Sequence, residues 1–195
     1  WSGSDTNLKL NTCGETDNGG LADLYGSADG ANSIAIGNAT TTSAANSLAI
    51  GQNASGGATG AIALGQNANA EDTHTIAIGD DSTSLLQNSI AIGPHAQVLS
   101  FVPTGGSSIA IGNGANVNSS ASIAIGYEAE ASGGYTQIAV GSSAKANGSR
   151  ASAIGYGSNA SGSYASAIGI NSIASGSNAI ADGTNAEASG VNAIA

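Results

Sequence analysis

The apolar residues of this chain recur in one short phrase: Ile or Leu, then Ala, then Ile or Leu, then Gly. The glycine that closes the phrase lies at residues 37, 51, 65, 79, 93, 112, 126, 141, 155, 169 and 183. Eight of the ten intervals are 14 residues, and the other two are 19 and 15. The residue two before the glycine is Ala in every copy. The chain is therefore an internal repeat of eleven copies.

A second phrase follows the glycine, as in GYEAEAS (126 to 132), with small residues three and five positions after it. Both phrases alternate with period two, which predicts two short strands per copy, separated by turns at Gly, Ser and Asn. A helix is excluded, because apolar residues two positions apart lie on different helical faces. One 14-residue copy makes one coil of a parallel β-solenoid. Eleven coils at about 4.8 Å spacing form a rod on the order of 50 Å long.

The interior of so short a coil has room only for small side chains. We therefore predict that Ala35, Ala49 and their equivalents point inward, and that small residues such as Ala68 and Ala70 meet them from the other sheet. The Ile and Leu positions on either side of the inner Ala then point outward. The opposite orientation, with Ile inside and Ala outside, stays open at this point.

The outward orientation leaves two neighbouring apolar rows along the rod, which a soluble monomer does not expose to water. We expect another copy of the chain to cover them. Ser152, Ser166 and Asp182 interrupt the rows, and polar groups are easier to house at a subunit axis with trapped water than in a dry coil. The predicted interface residues are Ile34, Ile36, Leu48, Ile50, Ile62, Leu64, Ile76, Ile78, Ile90, Ile92, Ile109, Ile111, Ile123, Ile125, Ile138 and Val140.

Composition and charge exclude several classes of function. The 195 residues include 13 acidic and 3 basic ones, so the surface repels polyanions and argues against binding nucleic acid or anionic membrane. No stretch has the length and hydrophobicity of a membrane helix, and no signal peptide opens the chain. Cys13 is the one cysteine, which excludes an internal disulfide; we expect it to be an unpaired thiol.

The phrases SIAIGNGANV (108 to 117), SIAIGYEAEASGG (122 to 134) and ASAIGYGSNASGS (151 to 163) resemble the head repeats of trimeric autotransporter adhesins, the YadA-like family. The resemblance covers residues 31 to 195. It implies an all-β, left-handed parallel β-roll and a side-by-side homotrimer with the Ile rows at the shared axis. Residues 1–30 lack the phrase, and we expect them to form an N-terminal cap; a separate ligand-binding tip is the alternative.

The resemblance also implies a function at the bacterial cell surface. Members of the family attach bacteria to host surfaces, commonly through collagen, fibronectin or laminin, and are virulence factors held in the outer membrane by a C-terminal anchor. The neck, stalk and anchor are not found in these residues, so the chain is interpreted as a head cut from a longer protein. A structural spacer that displays a separate binding domain is the alternative function.

The 19-residue interval contains an insertion, QVLSFVPTGG (97 to 106). Insertions in solenoids become loops on one face, often the binding face. Val98, Leu99, Phe101 and Val102 are therefore the candidate ligand contacts. The alternative is that this loop packs on a neighbouring coil or subunit.

Enzyme chemistry has weak support in the sequence. His74 and His95 lie 21 residues apart, on neighbouring coils, where a shared metal or a proton relay is conceivable. Solvated turn residues are the better interpretation of both. We predict no catalytic residue, no metal site and no cofactor.

Overall fold

Two parallel β-sheets run along the described part of the chain, residues 26–99 and 106–195 of the computed structural model. The strands of one sheet have three residues each: β2 Ile34–Ile36, β4 Leu48–Ile50, β6 Ile62–Leu64, β8 Ile76–Ile78, β10 Ile90–Ile92, β12 Ile109–Ile111, β14 Ile123–Ile125, β16 Ile138–Val140, β18 Ser152–Ile154, β20 Ser166–Ile168 and β22 Ile180–Asp182. We call it the long-strand sheet.

The strands of the other sheet, the short-strand sheet, have two residues each: β1 Ser27–Ala28, β3 Thr41–Thr42, β5 Ser55–Gly56, β7 Asn69–Ala70, β9 Thr83–Ser84, β11 Gln97–Val98, β13 Asn116–Val117, β15 Glu130–Ala131, β17 Lys145–Ala146, β19 Asn159–Ala160, β21 Ile173–Ala174 and β23 Glu187–Ala188. Strands of the two sheets alternate along the chain. Within either sheet, each strand pairs in parallel with the strands one coil before and one coil after it.

Equivalent residues of successive coils lie side by side. Ala63 pairs with Ala49 on one side and Ala77 on the other. This register confirms the parallel β-solenoid of 14-residue coils that the period predicts, and the described residues contain no helix.

A regular coil points four side chains inward, two from each sheet, and Leu86, Ser119 and Ser120 are buried in turns besides these. In the coil that begins at Gly65, the four inward side chains are Ala68, Ala70, Thr75 and Ala77, all with no exposed surface. The equivalent positions elsewhere hold Ala, Ser, Thr, Gly or Val, with one exception described below. The prediction that Ala points inward and Ile outward is confirmed.

Most inward-facing hydroxyl groups are satisfied by the turn that precedes them, whereas the buried hydroxyl of Ser84 has no hydrogen-bond partner among the described residues. The Ser47 hydroxyl donates to the carbonyl oxygen of Ala44 at 2.6 Å, and the Ser82 hydroxyl donates to that of Gly79 at 2.9 Å. A buried hydroxyl without a partner costs about 1–3 kcal/mol. This local bond explains why Ser and Thr substitute for Ala inside the coil.

The 14-residue coil consists of two similar halves of seven residues. Each half begins with a residue in the left-handed region, at residues 32, 39, 46, 53, 60, 67, 74, 81, 88 and 95, then 107, 114, 121 and 128, and then every seventh residue from 136 to 192. Asn occupies nine of these positions and Gly three, because both adopt a positive φ at low cost. Both halves then bury their second and fourth residues.

The glycine that closes each Ile phrase, which we call the motif glycine, is required by its backbone conformation and by its contact with the next coil. Its φ lies between 127° and 138° in all eleven copies, a region that residues with a side chain rarely adopt. A Cβ atom at any of these glycines except Gly183 would overlap the carbonyl oxygen of the motif glycine in the next coil. The glycines therefore form a column in which successive coils approach backbone to backbone.

The two irregular intervals lie in the same turn of the coil, between a short strand and the following long strand. The Leu99 N–H donates to the Val117 carbonyl, and the Ser107 N–H to the Gln87 carbonyl, as in regular coils. The additional five residues of the 19-residue interval therefore fall between Leu99 and Gly106, within residues that the structure does not describe.

The additional residue of the 15-residue interval lies in the turn around Gly134, and Gln137 compensates for it. Gln137 is the exception among inward residues and is fully buried. Its amide nitrogen donates to the hydroxyls of Ser119 and Ser122 at 2.6 and 2.7 Å, and its oxygen accepts from the backbone N–H groups of Gly134 and Tyr135 at 2.7 and 3.2 Å. The longer side chain fills the wider turn and pairs its backbone groups.

The described solenoid begins with a half-coil that lacks the Ile phrase. Ser27 and Ala28 form its short strand and pair with Thr41 and Thr42. This half-coil lies within the predicted N-terminal cap, residues 1–30, and the capping role stays a prediction. The rest of the predicted cap, residues 1–25, lies outside the described residues.

We predict that Gly65→Ala destabilises the rod more than Gly114→Ala does. Both glycines have a positive φ, 136° and 67°, so both substitutions place Ala in a strained backbone conformation at a cost of about 1–3 kcal/mol. A methyl group at position 65 also overlaps the Gly79 carbonyl, whereas at position 114 the nearest atom is the Glu128 Cγ at 3.4 Å. Thermal unfolding followed by circular dichroism measures the difference. Equal losses would show that the glycine column is not sterically required.

Candidate interaction surfaces

The outer side of the long-strand sheet carries the two apolar rows, which we call the Ile face. Its residues lie three and one positions before each motif glycine, on either side of the buried Ala. Ile34 and Ile50 are each 39% exposed, and none of the other residues of the rows is buried. The structure leaves this face open along the rod in the single chain.

Polar residues interrupt the Ile face near its C-terminal end. Ser152 and Ser166 stand three positions before Gly155 and Gly169, in β18 and β20. Asp182 ends β22, one position before its glycine, and is exposed. These three side chains lie on the outside of the coil, as the sequence predicts.

The outer side of the short-strand sheet is polar. Its outward strand residues are polar except Ile173; in order they are Ser27, Thr41, Ser55, Asn69, Thr83, Gln97, Asn116, Glu130, Lys145, Asn159, Ile173 and Glu187. The rod therefore has one apolar and one hydrophilic side. Such asymmetry is expected when one side contacts other chains and the other contacts water.

A shallow polar depression lies on the hydrophilic side, at the edge of the short-strand sheet. It has a volume of about 340 Å³ and is lined by Gly114, Asn116, Glu128, Ala129, Glu130, Ser143 and Lys145. The Lys145 ammonium lies 3.9 Å from a Glu130 carboxylate oxygen. A hydrogen bond with Glu128, together with the negative charge of that carboxylate, raises the pKa of the neighbouring Tyr127. The depression offers both hydrogen-bond donors and hydrogen-bond acceptors to a surface ligand.

The predicted ligand loop is described only in part. Val98 is the inward residue of β11 and has no exposed surface, so it is a core residue and does not belong to an exposed apolar tip. Leu99 is partly exposed. Phe101 and Val102 lie outside the described residues, and their role stays a prediction.

The two histidines lie in different turns of the coil. His74 is the left-handed residue before the long strand β8, whereas His95 is the left-handed residue after the long strand β10. The sequence alone left a shared metal or proton relay between them conceivable, and the structure does not bring them together.

His95 instead ends a column of polar side chains at the turn after the long strand. The Asn53 amide donates to Asn67 at 3.1 Å, and the Asn67 amide donates to Asp81 at 2.8 Å. The second oxygen of Asp81 lies 3.6 Å from the His95 Nδ1. Asp80, Asp81 and His95 each have one potential metal-ligand atom, and these three atoms lie within 4.8 Å of one another. Asp80 and His95 are exposed, and the carboxylate of Asp81 already accepts a hydrogen bond.

Sequence reasoning missed a group of exposed tyrosines in the C-terminal half. Tyr127 and Tyr156 each follow a motif glycine directly and are 53% and 61% exposed. Arg150 stacks on the ring of Tyr164 with 5.3 Å between guanidinium carbon and ring centre, and also donates to its hydroxyl. The 14-residue spacing of Arg150 and Tyr164 places them on adjacent coils and is the sequence signal that could have found this pair.

The family model described as the YadA head domain repeat, in two copies, matches the chain over residues 28–54, 57–82, 73–96, 104–129, 118–136, 138–158, 160–186 and 183–195. These segments cover well over half of the chain. No curated protein matches it. Across the described residues, the structure has no helix of the length and hydrophobicity needed to span a bilayer.

Proposed function

The chain belongs to the YadA head domain family, and on this premise we propose that it is the head of a trimeric surface adhesin that attaches a bacterium to host extracellular matrix. The family is one of adhesins, not of enzymes, and implies a surface-exposed autotransporter. The proposal adds three points to the family assignment: the trimer interface, the host ligand and the outer-membrane location.

The Ile face is the observation that carries the proposal. Most coils present two apolar side chains outward on the long-strand sheet, and the register stacks them into rows that run along the rod and are interrupted only near its C-terminal end. Contact of so much apolar surface with water is unfavourable, and such surface is normally buried against other protein. In the proposed homotrimer, the Ile faces of three chains meet at a common axis and exclude water from one another.

Ligand binding takes place, in this proposal, on the hydrophilic outer surface. The described residues present a shallow depression and exposed polar rows there, a geometry suited to an extended partner such as collagen, fibronectin or laminin. Three chains per head and many heads per cell make individually weak contacts effective through avidity. No cofactor or catalytic group is part of the mechanism.

A structural spacer is the second candidate. Most outward residues of the short-strand sheet are small polar residues that repeat with little change from β1 to β13. This uniformity is expected of a rod that only carries another domain away from the cell.

Binding of the purified chain to immobilised collagen, fibronectin and laminin separates the two functions. The adhesin proposal predicts saturable binding to at least one of them. If none binds while bacteria that carry the whole protein adhere, the chain is a spacer.

A variant without the five residues 100–104 restores the 14-residue interval. We expect it to remain trimeric, because every residue of the Ile face is retained.

We predict that Ile78→Asp combined with Ile92→Asp abolishes the trimer. The two residues pair in adjacent coils of the Ile face, so the substitutions bring two unpaired carboxylates from each chain to the axis. The matched control is Thr83→Asp with Gln97→Asp, which pair on the opposite face in the coils that begin at Gly79 and Gly93.

Light scattering measures the mass of both variants. We expect single chains from the Ile78 and Ile92 variant and an intact trimer from the control. A trimer of unchanged thermal stability in the first variant would show that the Ile face is not the interface.

A further inference from the structure

The residue that directly follows the motif glycine changes character along the rod. In the first six coils it is Asn38, Gln52, Gln66, Asp80, Pro94 and Asn113. In the next five it is Tyr127, Ser142, Tyr156, Ile170 and Thr184. This column lies beside the Ile face, across the glycine column. Large apolar side chains therefore enter it only in the C-terminal coils.

The Ile face changes in two of these coils, and in the opposite sense. Ser152 and Ser166 replace Ile in the row three positions before the glycine, in the two coils where Tyr156 and Ile170 stand one position after it. Ile154 and Ile168, which lie between the two columns, are retained and are each 40% exposed.

In these two coils the apolar strip has thus moved sideways by one outward position. Its new edge is the most exposed part: Tyr156 is 61% and Ile170 50% exposed. The backbone keeps the two residues in consecutive coils, because the Tyr156 carbonyl accepts from the N–H of Asn171 at 2.8 Å.

The shift is confined to these two coils. In the next coil Ile180 stands three positions before Gly183 and Thr184 one position after it. In the coil of Gly126, Ile123 and Ile125 are both retained beside Tyr127.

We propose that Tyr156 and Ile170 contact a second copy of this chain, and that the trimer interface in these two coils has moved away from Ser152 and Ser166. The inference rests on the proposed trimer. A ligand patch at Tyr156 and Ile170 would require no change on the other edge of the strip. The coupled loss of Ile from that edge is what favours a partner chain as the occupant.

The first test places a photo-crosslinking benzophenone side chain at residue 156 of the otherwise unchanged protein. Illumination is expected to give covalent dimers and trimers. The matched control has the same group at Gln52, in the same column but in a coil where the Ile face is regular; there we expect single chains only.

The second test is Tyr156→Asp combined with Ile170→Asp. We expect at least a tenfold increase in the trimer dissociation constant, measured by analytical ultracentrifugation. The control, Asn38→Asp with Gln52→Asp, introduces two carboxylates in the same column of the N-terminal coils. It is expected to change the trimer dissociation constant less than twofold. Both pairs point outward, so circular dichroism should show an intact solenoid.

The possible failures are distinguishable. A wild-type trimer without cross-links at residue 156 and with an unchanged dissociation constant in the double variant would overturn the shifted interface and leave the proposed trimer in place. Loss of matrix-protein binding from an unchanged trimer would identify a ligand patch and also overturn it. A wild-type chain that is single in solution would overturn both proposals.

Discussion

The narrowness of the coil is the constraint on which the rest of the structure depends. Each coil closes around four side chains that rarely exceed the size of Ala. A buried methyl group contributes about 0.8 kcal/mol, against about 1.5–3 kcal/mol for a buried Leu or Ile side chain. The interior alone therefore supplies little cohesion. The hydrogen-bond ladders between coils and the glycine column, where backbones touch, hold the stack together.

The same narrowness decides where the large apolar side chains lie. Ile and Leu do not fit inside, so they stand outward on both sides of the buried Ala, and the register joins them into the Ile face. The polar outer side of the short-strand sheet makes the rod amphipathic across its width. Folding of one chain thus leaves apolar surface that other chains can bury, and the hydrophilic side remains for a ligand. Adhesion in this account follows from an extended surface and needs no catalytic centre.

Much of the fold could be predicted because the repeat itself carries the information. A period of 14 residues and an invariant Ala two before the glycine were sufficient to predict both the parallel stack and the inward orientation of Ala35. The seven-residue half-coil was harder to find, since its marker is a backbone conformation that residues as different as Asn67 and Tyr164 adopt. Val98 was misplaced because it was grouped with the insertion, although it lies five positions after Gly93, an inward position of the repeat; the register of β11 with its neighbours shows that it continues the inward row. The tyrosines were overlooked because single residues beside a strong motif carry no periodic signal of their own until the coils are stacked.

The mass of the purified 195-residue chain in dilute solution tests the central claim most directly. The account predicts a folded assembly with three times the 18.4 kDa mass of one chain, rich in parallel β-structure by circular dichroism. A well-folded particle with the mass of a single chain would contradict it, because the Ile face would then be stable in water without a partner.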